Sequence, residues 1–228
     1  MKGLRLTELY PSIQGEGPNM GAVTTFVRFG GCNFRCPGWP CDTQHAIQPS
    51  IWKNDPIVEP VALSHRIKNE MPGSNVCITG GEPTMQPEAD LQQLASDLLL
   101  SGYTIDVFTN GSLVELPGWM HHPRVTVMMD WKLGGSGEAN GGLGVRFDNA
   151  YNLSPKDGIK FVICTPQDFE DAYALYKSIP TTARFWAGAA WGKYKESKLV
   201  KQIMEHDLPW RMNVQVHKYI WPNIEKGI

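Results

Sequence analysis

Short apolar runs alternate along the chain with amphipathic ones. "TTFVRFG" (24–30), "NVCITG" (75–80), "TIDVFTN" (104–110), "RVTVMMD" (124–130), "IKFVIC" (159–164), "ARFWAG" (183–188) and "RMNVQV" (211–216) are rich in Val, Ile, Phe and Thr, and each reads as a strand. In "PEADLQQLASDLLL" Leu91, Leu94, Leu98 and Leu99 share one helical face behind a proline at the entry. Thr165, Pro166 and Asp168 have the spacing of a capping box, in which two side-chain oxygens satisfy backbone N–H groups that a first turn leaves unpaired. Leu199, Val200, Ile203 and Met204 mark a third apolar stripe.

Strand–helix alternation predicts an α/β protein built on a parallel sheet with helical crossovers. Open doubly wound sheets and (β/α) barrels both fit. Seven strands fall short of a full barrel, which leaves room for a partial, open one of about six to seven strands. No Gly/Ser/Pro linker divides the 228 residues and no internal repeat is visible, so residues 1–228 read as a single domain. Either architecture places working residues beyond the C-terminal ends of strands. The unusual segments fall there: "GCNFRCPGWPCDT" (31–43), "GGEPT" (80–84), "TNGS" (109–112) and "DWKLGGSG" (130–137).

Composition narrows the class. A formal charge of −2 offers no electrostatic grip on nucleic acid or an anionic membrane. No apolar stretch approaches the roughly eighteen residues of a membrane span, and no secretory signal opens the chain. The expected address is cytoplasmic, where thiols stay reduced. Five cysteines, an odd count, also argue against a disulfide framework. Cys77 and Cys164 sit in apolar runs and read as core residues.

Cys32, Cys36 and Cys41 remain. Thiolates this close in a reduced compartment point to metal. His45 could complete a Cys₃His zinc set. Alternatively, three cysteines on a cluster of four irons leave one iron open to a small molecule. "GGEP" bears on the choice: two glycines let backbone approach a ligand closely, and Glu82 can accept hydrogen bonds from an ammonium group.

Together, the three-cysteine loop after the first strand and GGEP after the second resemble the radical S-adenosylmethionine enzymes. "YPSIQGEGPNMGAVTTFVRFGGCNFRC", "CDTQHA" and "PWRMNVQVHKYIW" further resemble the 7-carboxy-7-deazaguanine synthase family, almost end to end and in matching order. The resemblance implies a partial barrel of the radical SAM type. It implies a lyase that contracts 6-carboxy-5,6,7,8-tetrahydropterin to 7-carboxy-7-deazaguanine with release of ammonia. A 4Fe-4S cluster on Cys32, Cys36 and Cys41, S-adenosylmethionine as a regenerated cofactor, and Mg²⁺ on Thr43 come with it. So do a reductant protein such as flavodoxin or ferredoxin and a homodimeric state.

Residue by residue, the family's substrate loop maps to Ile13, Gln14, Gly15 and Glu16, with Arg28 for the carboxylate and Thr79, His217 and Lys218 as further substrate contacts. The cofactor set maps to Pro40, Asp42, Gly80, Gly81, Glu82, Thr109, Asn110, Asp130 and Lys132. From residue type alone, Arg28 also suits pairing with a core acid, and Thr43 suits a helix cap. Three departures stand out. The cysteine spacing is C-x₃-C-x₄-C rather than C-x₃-C-x₂-C, Phe108 stands where relatives carry a glutamate, and "DWK" replaces Ser-Pro-Lys. "GGSGEANGGLG" (134–144) lacks the ending of a phosphate loop and reads as a mobile flap over the site. Two other functions fit the residues: a radical activating enzyme for a partner protein, and a zinc-stabilised binding protein without redox chemistry.

Overall fold

The computed structural model describes residues 3–38, 41–113, 115–139, 143–222, 224 and 227. Its described strands form one open sheet of nine, in the order β3-β1-β2-β4-β5-β6-β7-β8-β9. They are β1 Leu4–Ile13, β2 Val23–Phe29, β3 Ile57–Val58, β4 Asn75–Gly80, β5 Thr104–Thr109, β6 Val125–Trp131, β7 Gly158–Ile163, β8 Arg184–Ala189 and β9 Arg211–Met212. The helices are α1 Gln44–Ile47, α2 Pro49–Trp52, α3 Pro60–Glu70, α4 Glu88–Leu100, α5 Leu143–Tyr151, α6 Pro166–Ser178, α7 Glu196–Glu205 and α8 Val216–Ile220.

The seven strands expected from the sequence are the parallel ones, β2 and β4 to β9. Each is added on the same side of its predecessor, so right-handed crossovers stack on one face and leave the other open. This is the expected partial, unclosed barrel. Two antiparallel strands extend it: β1 pairs with β2, and β3 with β1. Pro11 hides β1 in the sequence, because proline is disfavoured within a ladder. Conversely, the last strand is shorter than expected. β9 stops at Met212, and residues 213–215 lead into α8.

Strand parity divides the sheet's two faces. Val27 and Phe29, Val76 and Ile78, Val107, Val127 and Met129, and Ile159 and Phe161 are buried in the apolar core under the helices. Their neighbours at the opposite parity, Phe26, Arg28, Cys77, Thr79, Phe108, Asp130 and Lys160, line a cavity on the other face. Alternation of side chains along a strand therefore converts each apolar run into a half-core, half-site element. Leu91, Leu94, Leu98 and Leu99 of α4 are buried against this core as expected, whereas Val200 and Met204 of α7 face solvent and only Leu199 and Ile203 pack.

The capping box of α6 is present. The Asp168 amide donates to Thr165 Oγ1 at 3.1 Å, and the Thr165 amide donates to Asp168 Oδ2 at 3.0 Å. Asp168 also accepts from the Gly135 amide at 2.7 Å. A side chain at Gly135 would collide with that carboxylate. Residues 134–139 consequently form a packed turn rather than a mobile flap: Ser136 is buried, and the Gly38 amide donates to the Ser136 carbonyl at 3.1 Å. Residues 140–142 of the glycine-rich stretch lie outside the described residues.

Among the described residues no helix is long and apolar enough to cross a membrane.

Candidate active site

A cavity of about 360 Å³ opens at the C-terminal ends of the parallel strands. This is within the size range of small-molecule and cofactor sites. Every residue that the family resemblance assigned to the site lines it except Pro40, which lies outside the described residues. Loops separated by up to two hundred residues in sequence thus share one space.

The cysteine loop leaves β2 and is stitched to its neighbours by backbone. The Gly31 amide donates to the Ala46 carbonyl at 2.8 Å, and the Glu82 amide donates to the Gly31 carbonyl at 2.7 Å. A side chain at Gly81 would strike that same Gly31 carbonyl and crowd Cys32, so the second glycine of GGEP lets the two loops touch. Cys36 holds a left-handed backbone at φ 43°.

Cys32 Sγ accepts the Phe34 amide at 3.3 Å, and Cys41 Sγ lies 3.4 Å from Thr43 Oγ1. Burial raises the Cys32 thiol and pushes Cys36 up to about 11, and the nearness of Cys41 adds to both. The three sulfurs thus share one electrostatic neighbourhood. Among the described residues no three His, Cys, Asp or Glu side chains converge tightly enough to hold a single metal ion. His45, the fourth ligand a zinc site would need, instead bonds Glu8 Oε2 at 3.0 Å and does not line the cavity. Three thiols spread around a space, one of them already receiving an N–H, suit a group larger than one ion. Thr43 occupies the N-cap position of α1, yet its hydroxyl makes no capping bond, so the ordinary role of such a residue is not taken up.

Glu82 is the keystone between the GGEP and TNGS loops. It is 1% exposed and accepts from the Thr84 amide (3.0 Å), Thr84 Oγ1 (2.5 Å), Thr109 Oγ1 (2.7 Å) and the Asn110 amide (2.6 Å). Burial raises its carboxyl in spite of these donors. Asn110 Nδ2 donates to Asn33 Oδ1 at 2.9 Å, which ties TNGS back to the cysteine loop.

The substrate loop is fixed by the C-terminal segment. The Val216 amide donates to the Gly15 carbonyl at 3.1 Å, and the Gly17 amide donates to Asn213 Oδ1 at 3.1 Å. His217 lies where a Gly15 side chain would be, which accounts for that glycine. Burial lowers the His217 imidazole. Lys218 Nζ and Gln215 Nε2 reach Asp42 at 3.1 and 3.0 Å, closing a contact between α8 and the cysteine loop. Arg28 Nε donates to Glu8 at 2.6 Å and Nη2 to Tyr10 at 2.9 Å. A core acid therefore holds the guanidinium, and Nη1 takes no part in either bond.

Two charged positions at or beside the cavity escaped the sequence reading. Lys160 Nζ bonds Glu16 Oε2 at 2.8 Å and lies 3.5 Å from Asp130 Oδ2, which also meets Lys132 Nζ at 2.9 Å. Burial pushes the Glu16 and Asp130 carboxyls up, but the lysines outweigh it and hold both below their ordinary values. Asp106, in mid-strand, accepts from Gln14 Nε2 (3.0 Å), Asn75 Nδ2 (3.0 Å) and Asn19 Nδ2 (2.6 Å). It has no cationic partner in those bonds, and burial raises its carboxyl. In Asp106→Asn an amide N–H₂ must face other N–H donors, at a cost of about 1–3 kcal/mol. We expect the loop bearing Gln14 to loosen, so that KM for the substrate rises roughly tenfold with a smaller change in kcat; unchanged KM would mean Asp106 does not order this loop. The signal for both residues was available: a charged side chain interrupting an apolar strand at the parity of Arg28 and Thr79.

A scan against protein-family models finds no match. Comparison with curated proteins is more informative. The chain is 31% identical over 220 residues to a 7-carboxy-7-deazaguanine synthase of Methanospirillum hungatei JF-1, covering 96% of this chain and 86% of that protein. It is 31% identical over 242 residues to the 7-carboxy-7-deazaguanine synthase of Koribacter versatilis, covering 99% and 100%. Among solved structures, the crystal structure of QueE from Escherichia coli superposes with a TM-score of 0.65 at 22% identity over 94% of each chain, a likeness of fold. With near-complete coverage at this identity, the chain belongs to the 7-carboxy-7-deazaguanine synthase family of radical S-adenosylmethionine enzymes.

Proposed function

We propose that this chain converts 6-carboxy-5,6,7,8-tetrahydropterin to 7-carboxy-7-deazaguanine with loss of one ammonia, serving 7-deazapurine biosynthesis of the queuosine type. The observation that carries the proposal is the convergence of the cysteine loop, GGEP, the Gln14–Glu16 loop and His217 on one cavity. The conversion balances without a net oxidant: the substrate minus NH₃ has the composition of the product. Cys32, Cys36 and Cys41 would hold a 4Fe-4S cluster, and Thr43 would offer a hard oxygen to Mg²⁺. When bound, the cluster and S-adenosylmethionine supply hydrogen-atom abstraction, here from C6 of the pterin, with the hydrogen returned at the end of the cycle.

The chain's own residues position, charge and shield. Glu16, kept ionised by Lys160, accepts N–H bonds from the pterin ring, and Gln14 is oriented by Asp106. Arg28 meets the substrate carboxylate, Thr79 and Lys218 add contacts at the rim, and a neutral His217 packs beside Glu16. On the cofactor side, the backbone at Gly80 and Gly81 allows close approach. Glu82 sets the loop that carries Thr109 and Asn110. Lys132 suits a carboxylate, and Asp130 an ammonium. The enzyme is proposed to work in the cytoplasm as a homodimer, with a flavodoxin- or ferredoxin-type protein as its reductant.

Arg28 separates this reading from that of an activating enzyme for a partner protein. In Arg28→Ala the substrate carboxylate loses its partner, at a cost of about 2 kcal/mol or more in affinity. Wild-type enzyme should prefer the carboxylated pterin to its decarboxylated analogue, and the variant should bind the two alike. Equal binding of both by the wild type would sink the assignment.

A further inference from the structure

Asp130 and Lys160 are register partners on adjacent parallel strands, and Lys160 pairs onwards with Trp186 of β8. Their side chains rise from the same face into the cavity. With Glu16 and Lys132 they form a wall of alternating charge, Glu16–Lys160–Asp130–Lys132, with gaps of 2.8, 3.5 and 2.9 Å. The four side chains are only 11–20% exposed. One end is the loop read as binding the pterin and the other the loop read as binding S-adenosylmethionine. Lys160 is the group that touches an acid of each. Among the described residues Asp130 Oδ1 is buried with no hydrogen-bond partner, so the wall is incomplete on the cofactor side. A buried acceptor left without a donor is costly, and a ligand N–H would satisfy it.

We propose that Lys160 is a positioning residue that couples the two subsites, so that pterin and S-adenosylmethionine each tighten the other's binding. Its ammonium is shared unequally between two carboxylates, closer to Glu16 than to Asp130. When the ammonium of the cofactor engages Asp130, that carboxylate has less demand for Lys160, which then holds Glu16 more firmly in its accepting pose. By linkage the effect is reciprocal. This rests on the functional reading above.

The test uses cluster-loaded enzyme under anaerobic conditions without reductant, so that binding is read apart from turnover. The dissociation constant of the carboxylated pterin is measured by calorimetry with and without saturating S-adenosylmethionine, and the converse titration is run as well. In the wild type each ligand should tighten the other about fivefold or more. In Lys160→Met the ratio should fall to about one, and pterin affinity should fall roughly tenfold, while Lys160→Arg should keep most of the coupling because its fork can span both carboxylates. Should the methionine variant not fold, Lys160→Gln carries the same comparison. A wild-type ratio of one, or a variant retaining the wild-type ratio, overturns the inference. Failure of the wild type to bind the pterin at all instead overturns the underlying functional reading.

Discussion

Cys36→Ala should leave a folded protein with no measurable turnover. Cys36 already sits in the left-handed region, and alanine pays the same conformational cost there, so the backbone has no new reason to rearrange. What is lost is a sulfur donor. Burial pushes this thiol up to about 11, so a metal that bound it would have to displace its proton. With two donors left, a cluster would no longer be held in place. We expect bound iron to fall well below four per chain and activity to drop by at least about a thousandfold, equivalent to ~4 kcal/mol of barrier lowering. Iron analysis and visible absorption after anaerobic reconstitution read the first outcome, and product formation reads the second. Cys32→Ala and Cys41→Ala should behave alike, because all three sulfurs line the same space. An iron-free variant that still forms product would remove the basis of the account.

Glu82→Ala carries the second large effect, and it acts on stability as well as on catalysis. One carboxylate accepts four hydrogen bonds from Thr84, Thr109 and Asn110. Truncation leaves those donors facing a void in a buried site. At about 1–3 kcal/mol for each group left unsatisfied, with relaxation recovering part, a loss of roughly 3–5 kcal/mol in unfolding free energy is expected. Glu82→Gln keeps one acceptor oxygen and should lose less. Urea unfolding of the two variants beside the wild type measures both. If the alanine variant unfolded within about 1 kcal/mol of the wild type, the keystone role would be refuted. Because the same residue sets the Thr109–Asn110 loop, binding of S-adenosylmethionine should weaken in both variants.

These two residues also show what the sequence made legible. The cysteines and GGEP could be read because their function lies in residue type and spacing: sulfur donors in one loop, glycines where loops touch. The seven parallel strands could be read because each is a short run dominated by apolar and β-branched residues. β1 was missed for the opposite reason, since Pro11 and Glu8 break its pattern, although Glu8 turns out to hold both Arg28 and His45. Glu82 was recognised as part of a motif, yet two of its four contacts, those from Thr109 and Asn110, depend on TNGS folding over it, which no local pattern encodes. Lys160 and Asp106 lie one step further off. Each is an isolated charge in an apolar strand, and its meaning appears only when sheet register sets it beside Asp130 or beneath Gln14. The glycine-rich stretch misled because composition suggests freedom. Within its described part, Gly135 and Gly137 serve close packing against Asp168, Gly38 and Pro37.

Two of the three departures from the family pattern, the cysteine spacing and Asp130, have a physical sense. The longer cysteine loop bends at Cys36 and is clasped by the 134–138 turn through Gly38 and through Arg35, whose amide donates to Glu138 at 2.8 Å. Asp130, standing for a neutral residue, is accommodated because Lys132 and Lys160 both face it. Its Oδ1 is buried without a hydrogen-bond partner among the described residues.

Anaerobic turnover with 6-carboxytetrahydropterin, S-adenosylmethionine, Mg²⁺ and a reductant, followed by mass spectrometry, bears most directly on the whole. A deazapurine lighter than its precursor by one ammonia should accumulate over many cycles while the sulfonium compound stays unconsumed. Fully iron-loaded enzyme that yields no such compound, or that destroys one sulfonium molecule per event, would contradict it.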